Sequence, residues 1–308
     1  MRKRVIFFGM TNNLQPHRDA ALRHGRIGIT QTLIPRLEIN VGQATSGTSP
    51  CLYRSMICFI LQGSKDVAIH DDLLRYDASQ YLVSALDLPL SGQIHDADDG
   101  SPYVAISLVL DPALLAEVAS TMPVTRDAET PTSGIAINPM TAPLRDTLLR
   151  MLALLDTPED IPALAPMAER ELLYRLLQGP KGRLLRHIAQ PEGALGRIRR
   201  AVEWIRDHGN TRLRIEALCD ATGMNRASLH RHFVALTGLS PIQYQKMLRL
   251  QEARQLLLAG ERSASDVAYA VGYESASQFS REYLRQFGAP PVRDMRKLRQ
   301  SIGGQVVG

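Results

Sequence analysis

Cysteine, long apolar runs and familiar catalytic motifs are scarce or missing in this chain of 308 residues. Three cysteines are too few for a disulfide framework, which favours a reducing, cytoplasmic setting. No apolar run approaches the roughly 20 residues that a membrane-spanning helix needs. The chain has neither a Gly-x-Ser-x-Gly motif nor a glycine-rich phosphate loop. These absences argue against a disulfide-stapled secreted domain, a helical membrane protein and the common nucleophilic hydrolases.

Metal-ligating patterns are also weak. A metal site in a small β-barrel needs two neighbouring histidines with an acidic residue and a further histidine. His70 and His95 instead stand alone beside aspartates typical of turns. His230 and His232 lie on divergent faces of a predicted helix, so they do not form a metal pair. We therefore expect no metal, no cofactor and no catalytic residues.

Positive charge is concentrated at one end of the chain. Residues 195–308 carry 18 Lys and Arg against 10 Asp and Glu, whereas residues 1–194 carry 18 against 21. Residues 195–308 therefore have a net charge of +8, and residues 1–194 have a net charge of −3. A basic C-terminal third behind a mildly acidic front predicts nucleic acid as the partner of the C-terminal part only.

The chain does contain a weak internal repeat in that basic third. Residues 215–233 and 264–283 share one template, in which Gly223 corresponds to Gly272 at an offset of 49 positions. In each copy a short helix with a buried apolar residue is followed by a glycine suited to a left-handed turn, and then by a second helix. This pattern predicts two helix-turn-helix units on one subunit.

The second helix of each copy has one apolar and one polar face. Apolar residues recur at spacings of three and four, namely Leu229, Phe233 and Leu236, and then Phe279, Tyr283 and Phe287. The opposite faces carry Arg226, His230 and Arg231, and then Ser277, Gln278, Arg281 and Arg285. An ordinary helical bundle with solvated polar residues is the alternative, but it explains neither the repeat nor the matched glycines.

The polar faces have the chemistry for reading DNA. Arg can bind guanine and Gln can bind adenine with two hydrogen bonds each, so Arg231 and Gln278 are the predicted base-reading residues. Ala227 suits contact with a thymine methyl group. Phosphate contacts that set the register are expected of Arg226, Ser228, Ser275, Ser280 and Arg285. For each serine, a capping or solvated hydroxyl is an equally good interpretation.

Residues 196–299 resemble the DNA-binding domain of AraC/XylS-type transcriptional regulators. The residues that carry the resemblance are 229–233, 237–241, 267–273 and 290–291, with Arg249, Leu250 and the pair Phe287-Gly288 between them. The resemblance implies two helix-turn-helix units joined by one long helix over residues 241–259. It also implies that bases are faced by Ala227, His230, Arg231, Ser277, Gln278 and Arg281. One departure is Asp294-Met295-Arg296, where the family often has an aromatic residue before Arg.

The front two-thirds of the chain have a different pattern. Short apolar runs between residues 33 and 110 alternate with turn residues, which predicts a β-sandwich or barrel. From Asp111, an expected helix N-cap, the pattern becomes helical, with further helices over residues 144–155 and 167–177. Their apolar faces suit either covering the barrel or pairing with a second subunit. Residues 190–194 are the expected linker, and residues 1–25 are expected to be a poorly ordered arm.

Residues 32–121 resemble the cupin-like N-terminal domain of one AraC-type subgroup. The residues that carry the resemblance are 49–53, 61–65, 75–82, 86–90, 102–103 and 110–114. In related proteins such a barrel holds a small effector and helps dimerisation, so the resemblance implies both for residues 26–190. We therefore expect an α+β chain with a cupin-like domain over 26–190 and an all-α double helix-turn-helix domain over 195–300.

Cys51 is the one residue singled out for effector sensing. It lies in a turn-like stretch after Pro50, with Arg54 and Lys65 as possible cationic neighbours. A cation that lowers its pKa would let the thiolate react with an aldehyde or another electrophile. The alternative is a small buried apolar residue.

The sequence predicts a cytoplasmic, sequence-specific transcriptional regulator, and the resemblance favours an activator. Its expected partners are double-stranded promoter DNA, RNA polymerase, a small-molecule effector in the N-terminal barrel and a second copy of the chain. No membrane partner is expected. The alternative function is a cupin-type, metal-dependent enzyme fused to a DNA-binding tether.

Overall fold

The computed structural model describes residues 14–44, 49–69, 72–123, 131–179, 182–260 and 262–296. The described chain begins with a β-rich N-terminal domain that carries several helices and ends in an all-helical domain. This arrangement is the two-domain α+β fold that the sequence predicts. His70 and the first 13 residues lie outside the described residues.

Two antiparallel sheets build the N-terminal domain. The larger has the strand order β1-β2-β9-β4-β7-β10 and the smaller β3-β8-β5-β6. The strands are β1 Gly28–Gln31, β2 Leu37–Gly42, β3 Ser49–Tyr53, β4 Met56–Gln62, β5 Ser64–Ile69, β6 Asp72–Asp77, β7 Gln80–Ser84, β8 Leu88–His95, β9 Tyr103–Val109 and β10 Ile135–Pro139. Tyr53 and Tyr76 of the smaller sheet share one core with Phe59 and Tyr103 of the larger. The interior between the sheets is therefore filled by large side chains.

Five helices belong to this domain in the described ranges: α1 Gln15–His24, α2 Pro112–Ser120, α3 Ala142–Ala153, α4 Ile161–Gln178 and α5 Arg183–Ile188. Two 3₁₀ turns, Leu154–Asp156 and Pro158–Asp160, join α3 to α4. Asp111 caps α2 as predicted, because its side chain accepts hydrogen bonds from the backbone N–H groups of Ala113 and Leu114.

Helices α3 and α4 pack against each other, and α1 packs against α3 while α2 packs against α4. Leu148 and Leu152 of α3 and Leu172 and Leu176 of α4 are fully buried in the domain core. These apolar faces are therefore buried within the N-terminal domain itself and do not need a second subunit to cover them. A different face of α4 leaves Leu164, Met167 and Tyr174 exposed, and pairing with a second subunit stays a prediction.

The expectation of a poorly ordered arm over residues 1–25 is wrong for its second half. Helix α1 packs on the domain with His17, Ala20 and Ala21 buried, and the His17 ring contacts the backbone carbonyl of Arg145 at 2.9 Å. Gly25 lies close against Ile39. These contacts bury α1 through small residues rather than through a strong apolar stripe, which is why the sequence pattern did not reveal it.

The C-terminal domain consists of α6 Ala194–Asp207, α7 Ile215–Thr222, α8 Arg226–Thr237, α9 Pro241–Ala259, α10 Ala264–Ala270 and α11 Ala276–Phe287, followed by a helical turn over residues 291–296. Residues 190–193 of the predicted linker lie between α5 and α6, whereas Ala194 is the first residue of α6. Gly223 and Gly272 have φ angles of 62° and 85°, as the repeat predicts. A side chain at Gly272 would also meet the carbonyl oxygen of Asn210 at 2.5 Å.

Two separate cores divide the C-terminal domain. The first lobe, α6 to α8 with the N-terminal half of α9, belongs to the same core cluster as the N-terminal domain. The second lobe, the C-terminal half of α9 with α10, α11 and residues 291–296, has its own core around Val267, Phe279 and Tyr283. Among the described residues, the first lobe therefore shares a hydrophobic core with the sheets, whereas the second lobe does not.

Polar contacts join the first lobe to the N-terminal domain. Arg199 of α6 donates to the carbonyl of Ile188 in α5 at 2.7 Å. The backbone N–H of Gly134 donates to the carbonyl of Leu236 at 3.0 Å. Arg206 forms an ion pair with Asp87 at 3.0 Å, and the Tyr244 hydroxyl donates to the Asp87 carbonyl. A side chain at position 134 would clash with Leu236, so the close approach requires glycine there.

The departure at residues 294–296 has a structural explanation. The buried Asp294 carboxylate accepts hydrogen bonds from Arg254 of α9 at 2.9 Å and from the Tyr283 hydroxyl at 2.8 Å. Met295 is buried in the second-lobe core. The ion pair and the methionine together anchor the last helical turn where the family often has an aromatic residue.

Replacing Arg254 by Met should destabilise the second lobe by about 3 kcal/mol, because it leaves the buried Asp294 carboxylate without its cation. Hydrogen exchange of the α10 and α11 amides, compared with wild type, would measure this loss. Arg262→Met, an exposed change in the same lobe, should alter exchange by less than about 0.5 kcal/mol. Unchanged protection in Arg254→Met would show that the pair contributes nothing.

Candidate nucleic-acid interface

Helix α8 presents one polar face outward. Asn225 begins the helix by accepting a hydrogen bond from the backbone N–H of Ser228 at 2.8 Å. Leu229, Phe233 and Leu236 are buried on the inner side. Of the predicted DNA-binding residues, Arg226, Ala227, His230 and Arg231 are exposed and Ser228 is half-buried.

Helix α11 repeats this arrangement in the second lobe. Phe279 and Tyr283 are buried on the inner side, and their rings stack edge to face with centroids 5.4 Å apart. The predicted residues Ser277, Gln278, Arg281 and Arg285 are exposed, whereas Ser275 and Ser280 are half-buried. Ser275 also caps the helix, since its side chain accepts from the backbone N–H of Gln278.

The exposed cations of these faces are not neutralised by the protein. Within the described ranges, none of the four exposed arginines of α8 and α11 takes part in an ion pair. Among the described residues, the Arg231 guanidinium has a hydrogen bond to the neighbouring His232 ring at 3.5 Å. Burial together with Arg231 lowers the pKa of His232. Both faces therefore combine unpaired guanidinium groups with exposed hydrogen-bonding side chains, which is the chemistry that meets phosphates and base edges.

Helix α9 fixes the two lobes relative to each other. The Arg249 guanidinium donates to the carbonyls of Gly209 and Thr211 in the first lobe and to that of Gly272 in the second. Gln245 adds a hydrogen bond to Thr211 at 2.8 Å. Burial lowers the pKa of Arg249. One side chain thus holds loops from both lobes.

Lys246 and Glu282 form a second link, between α9 and α11. Their charged groups are 3.1 Å apart, and the Tyr273 hydroxyl donates to the other Glu282 oxygen at 2.9 Å. Sequence reasoning assigned no role to Lys246 or Glu282, and it assigned Tyr273 only a packing role between the two helices of its unit. A weak signal existed, because Gln278 and Glu282 are spaced i,i+4 on one helix and such pairs are neighbours.

The environment of Cys51 does not favour a thiolate. Burial raises the pKa of its thiol, and Lys65 offsets this only in part. Arg54, the other suggested neighbour, instead pairs with the buried Glu38. The hypothesis of a cation-activated cysteine therefore conflicts with the surroundings of the residue.

A cavity of about 330 Å³ lies between the N-terminal domain and α9. Cys51 and Leu52 of β3 form one wall, and Leu248 and Leu258 of α9 with Phe287 of α11 contribute apolar surface opposite. Polar groups at its border include Arg206, Gln251 and Glu252. The volume falls in the range of small-molecule sites.

The interior of the β-domain offers polar groups but is tightly packed. Among the described residues, the buried hydroxyls of Tyr53, Tyr76 and Tyr103 have no nitrogen or oxygen partner and lie beside the thiols of Cys51 and Cys58. Burial raises all three pKa values well above the ordinary tyrosine value. His95 is engaged with the Asp66 carboxylate, which also binds Arg75.

The described residues contain neither a metal-binding cluster nor a membrane-spanning helix. Nowhere in them do three or more His, Cys, Asp or Glu side chains gather closely enough to hold a metal ion. None of their helices combines the length and apolar character needed to cross a membrane.

Two family models match the chain. A model of the AraC-type transcriptional regulator N-terminus matches residues 33–184, and a model of a helix-turn-helix domain matches residues 218–297. The first covers most of the described β-domain and its helices, and the second covers α8 to α11 completely.

Curated relatives include the HTH-type transcriptional activator RhaS. The Escherichia coli protein is 31% identical over 155 residues, which are 50% of this chain and 54% of RhaS. The Citrobacter koseri protein is 34% identical over 146 residues, or 46% and 50% of the two chains. The chain spans about half the length of the curated relatives it matches.

Among solved structures, ToxT from Vibrio cholerae has the same two-domain fold. Unsaturated fatty acid bound wild-type ToxT has a TM-score of 0.58 at 14% identity, over 86% of this chain and 97% of ToxT. An apo ToxT variant has a TM-score of 0.57 at 14% identity, over 88% and 98%. At this identity the likeness shows the fold alone.

These matches overturn the alternative of a metal-dependent enzyme with a DNA tether, because the matched family consists of transcriptional regulators and not of enzymes. The N-terminal match, the helix-turn-helix match and the duplicated lobes agree with one another. The chain belongs to the family of AraC-type DNA-binding transcriptional regulators.

Proposed function

We propose that this protein is a sequence-specific activator that reads double-stranded promoter DNA with both α8 and α11. The observation that carries the proposal is the pair of exposed, unpaired cationic helix faces held by one connecting helix. The basic balance of residues 195–308 gives the electrostatic attraction to DNA. RhaS, which shares about half its length with this chain, is named as an activator.

The two reading helices suit successive turns of one major groove. Helix α9 has 19 residues, which corresponds to a length of about 28 Å. Successive major-groove faces are about 34 Å apart along B-form DNA. A connector of this length supports a separation of that order, and Arg249 holds loops of both lobes.

Individual residues have different roles in this proposal. Arg231 grips a guanine edge and Gln278 an adenine edge, since each offers two hydrogen bonds in a fixed geometry. Ala227 touches a thymine methyl group, and His230, Ser277 and Arg281 face neighbouring bases. Phosphate contacts come from Arg226, Ser228, Ser275, Ser280 and Arg285.

A small effector would control the DNA-binding domain. The cavity between β3 and α9 supports this role better than the packed barrel interior, because it borders both domains. A ligand there contacts Leu52 on one side and Phe287 of the second lobe on the other. It would shift the protein toward the lobe arrangement that it binds best.

We propose RNA polymerase as the partner on DNA, a homodimer as the active species and the cytoplasm as its location.

Arg231→Ala should lose discrimination at one base pair by about 1–3 kcal/mol, since it removes a bidentate base contact. Arg285→Ala should weaken binding to all sequences alike. It should also reduce the slope of log affinity against log salt concentration by about one, since one phosphate contact is lost. Titration of a selected operator and of random DNA at several salt concentrations would measure both. Equal losses on the two DNAs in Arg231→Ala would contradict its role in base reading.

A thermal-shift screen of small neutral and acidic compounds on the whole protein would locate the effector. Leu248→Trp fills the cavity between β3 and α9, so it should abolish stabilisation by an effector bound there. Tyr76→Phe, a change inside the barrel, should leave that stabilisation intact. The reverse result would assign the effector to the barrel interior.

Cys51 should react slowly with iodoacetamide at pH 7, because burial raises its pKa and little thiolate is present. Its rate, followed by mass spectrometry, should lie below that of free cysteine and should rise with pH. Fast alkylation at pH 7, together with loss of an aldehyde response in Cys51→Ser, would restore the sensing hypothesis.

A further inference from the structure

Glu282 is the most highly connected side chain on the outer half of α11. One carboxylate oxygen lies 3.1 Å from the Lys246 ammonium and accepts from the Gln278 amide nitrogen at 3.4 Å. The other oxygen accepts from the Tyr273 hydroxyl at 2.9 Å. Only 17% of its side chain is exposed. Three donors from α9, the preceding turn and α11 itself thus converge on one carboxylate.

The carboxylate is charged at neutral pH. Burial acts to raise the pKa of Glu282, but the hydrogen bonds from Lys246, Tyr273 and Gln278 outweigh it, and the pKa lies below the ordinary glutamate value. The Glu282 carboxylate can only accept hydrogen bonds, so it discriminates between the two ends of the Gln278 amide. It attracts the NH₂ end and repels the carbonyl end.

Orientation decides what a glutamine amide can read. The NH₂ group has two hydrogens, so donating one to Glu282 leaves the other N–H and the carbonyl oxygen free. Adenine presents the N7 acceptor and the N6 donor side by side in the major groove, whereas guanine presents two acceptors. An amide fixed with one N–H and one C=O outward matches adenine, and a freely rotating amide accommodates either purine.

We propose that Glu282 is a positioning residue that orients the Gln278 amide and thereby sets its preference for adenine. Lys246 and Tyr273 hold the carboxylate in place, so the orientation of a base-reading side chain is tied to the connecting helix α9. The inference rests on the proposed function, because it requires Gln278 to face DNA. Glu282 itself contacts no base in this arrangement.

The test compares binding of the whole protein to a selected operator and to its single-base variants. Wild type should prefer adenine at one position by about 5- to 100-fold, and Gln278→Ala should abolish that preference. Glu282→Gln keeps the size of the side chain but has one acceptor oxygen for which Lys246, Tyr273 and Gln278 compete. It should reduce the preference at that position to within about 3-fold, chiefly through stronger binding of the guanine variant.

Matched controls separate orientation from charge and from folding. Glu274→Gln removes one negative charge from the same lobe at an exposed position, so it should raise affinity for all DNAs alike and leave the adenine preference intact. Tyr273→Phe removes one of the two other donors and should cause a smaller loss at the same position. Base preferences assigned to Arg231 should be unchanged in every variant, which reports an intact first lobe. Hydrogen exchange of the α10 and α11 amides, which should match wild type, reports an intact second lobe.

Each outcome is decisive. A wild type without any base preference would overturn the proposed function. A preference that survives Gln278→Ala would remove Gln278 as its reader, and the inference with it. A preference lost in Gln278→Ala but retained in Glu282→Gln would overturn the role of Glu282 alone.

Discussion

The constraint on which the C-terminal half depends is that one helix, α9, is part of two cores. Its N-terminal half places Tyr244 in the core that includes the β-sheets, and its C-terminal half places Leu250, Ala253 and Leu257 in the core of the second lobe. A capping box formed by Ser240 and Gln243 fixes where the helix begins. Because an α-helix is stiff over this length, the packing of one end sets the position of the other.

Features with local causes could be predicted from the sequence. The two turns at Gly223 and Gly272, the Asp111 cap and the apolar stripe of each second helix depend on residues within a few positions of one another. The alternation of short runs and turns similarly indicated the sheets. Helix α1 was misjudged because its buried face consists of His17 and two alanines, which give little periodic signal.

Long-range contacts could not be predicted in this way. Asp87 and Tyr244 are separated by 157 positions, and nothing in either segment indicates the other. The candidate interface shows both cases. The exposed faces of α8 and α11 follow from helical periodicity. The link between Lys246 and Glu282 could not be predicted, because it depends on how α9 crosses α11. Cys51 shows that closeness in sequence can also mislead. Arg54 is three positions away and was expected to activate the thiol, but its guanidinium pairs with Glu38 instead.

The shared core also makes the duplicated lobes inequivalent. The inner surface of the first lobe is committed to the β-domain, through Tyr244 and the Leu236 carbonyl that receives Gly134. A fragment cut at the residue 190–194 turn would carry both recognition helices, yet it would expose an aromatic ring and an unpaired carbonyl to water on one lobe only. Removing the N-terminal domain would therefore act directly on the first lobe, because the core of the second lobe lies wholly within the fragment.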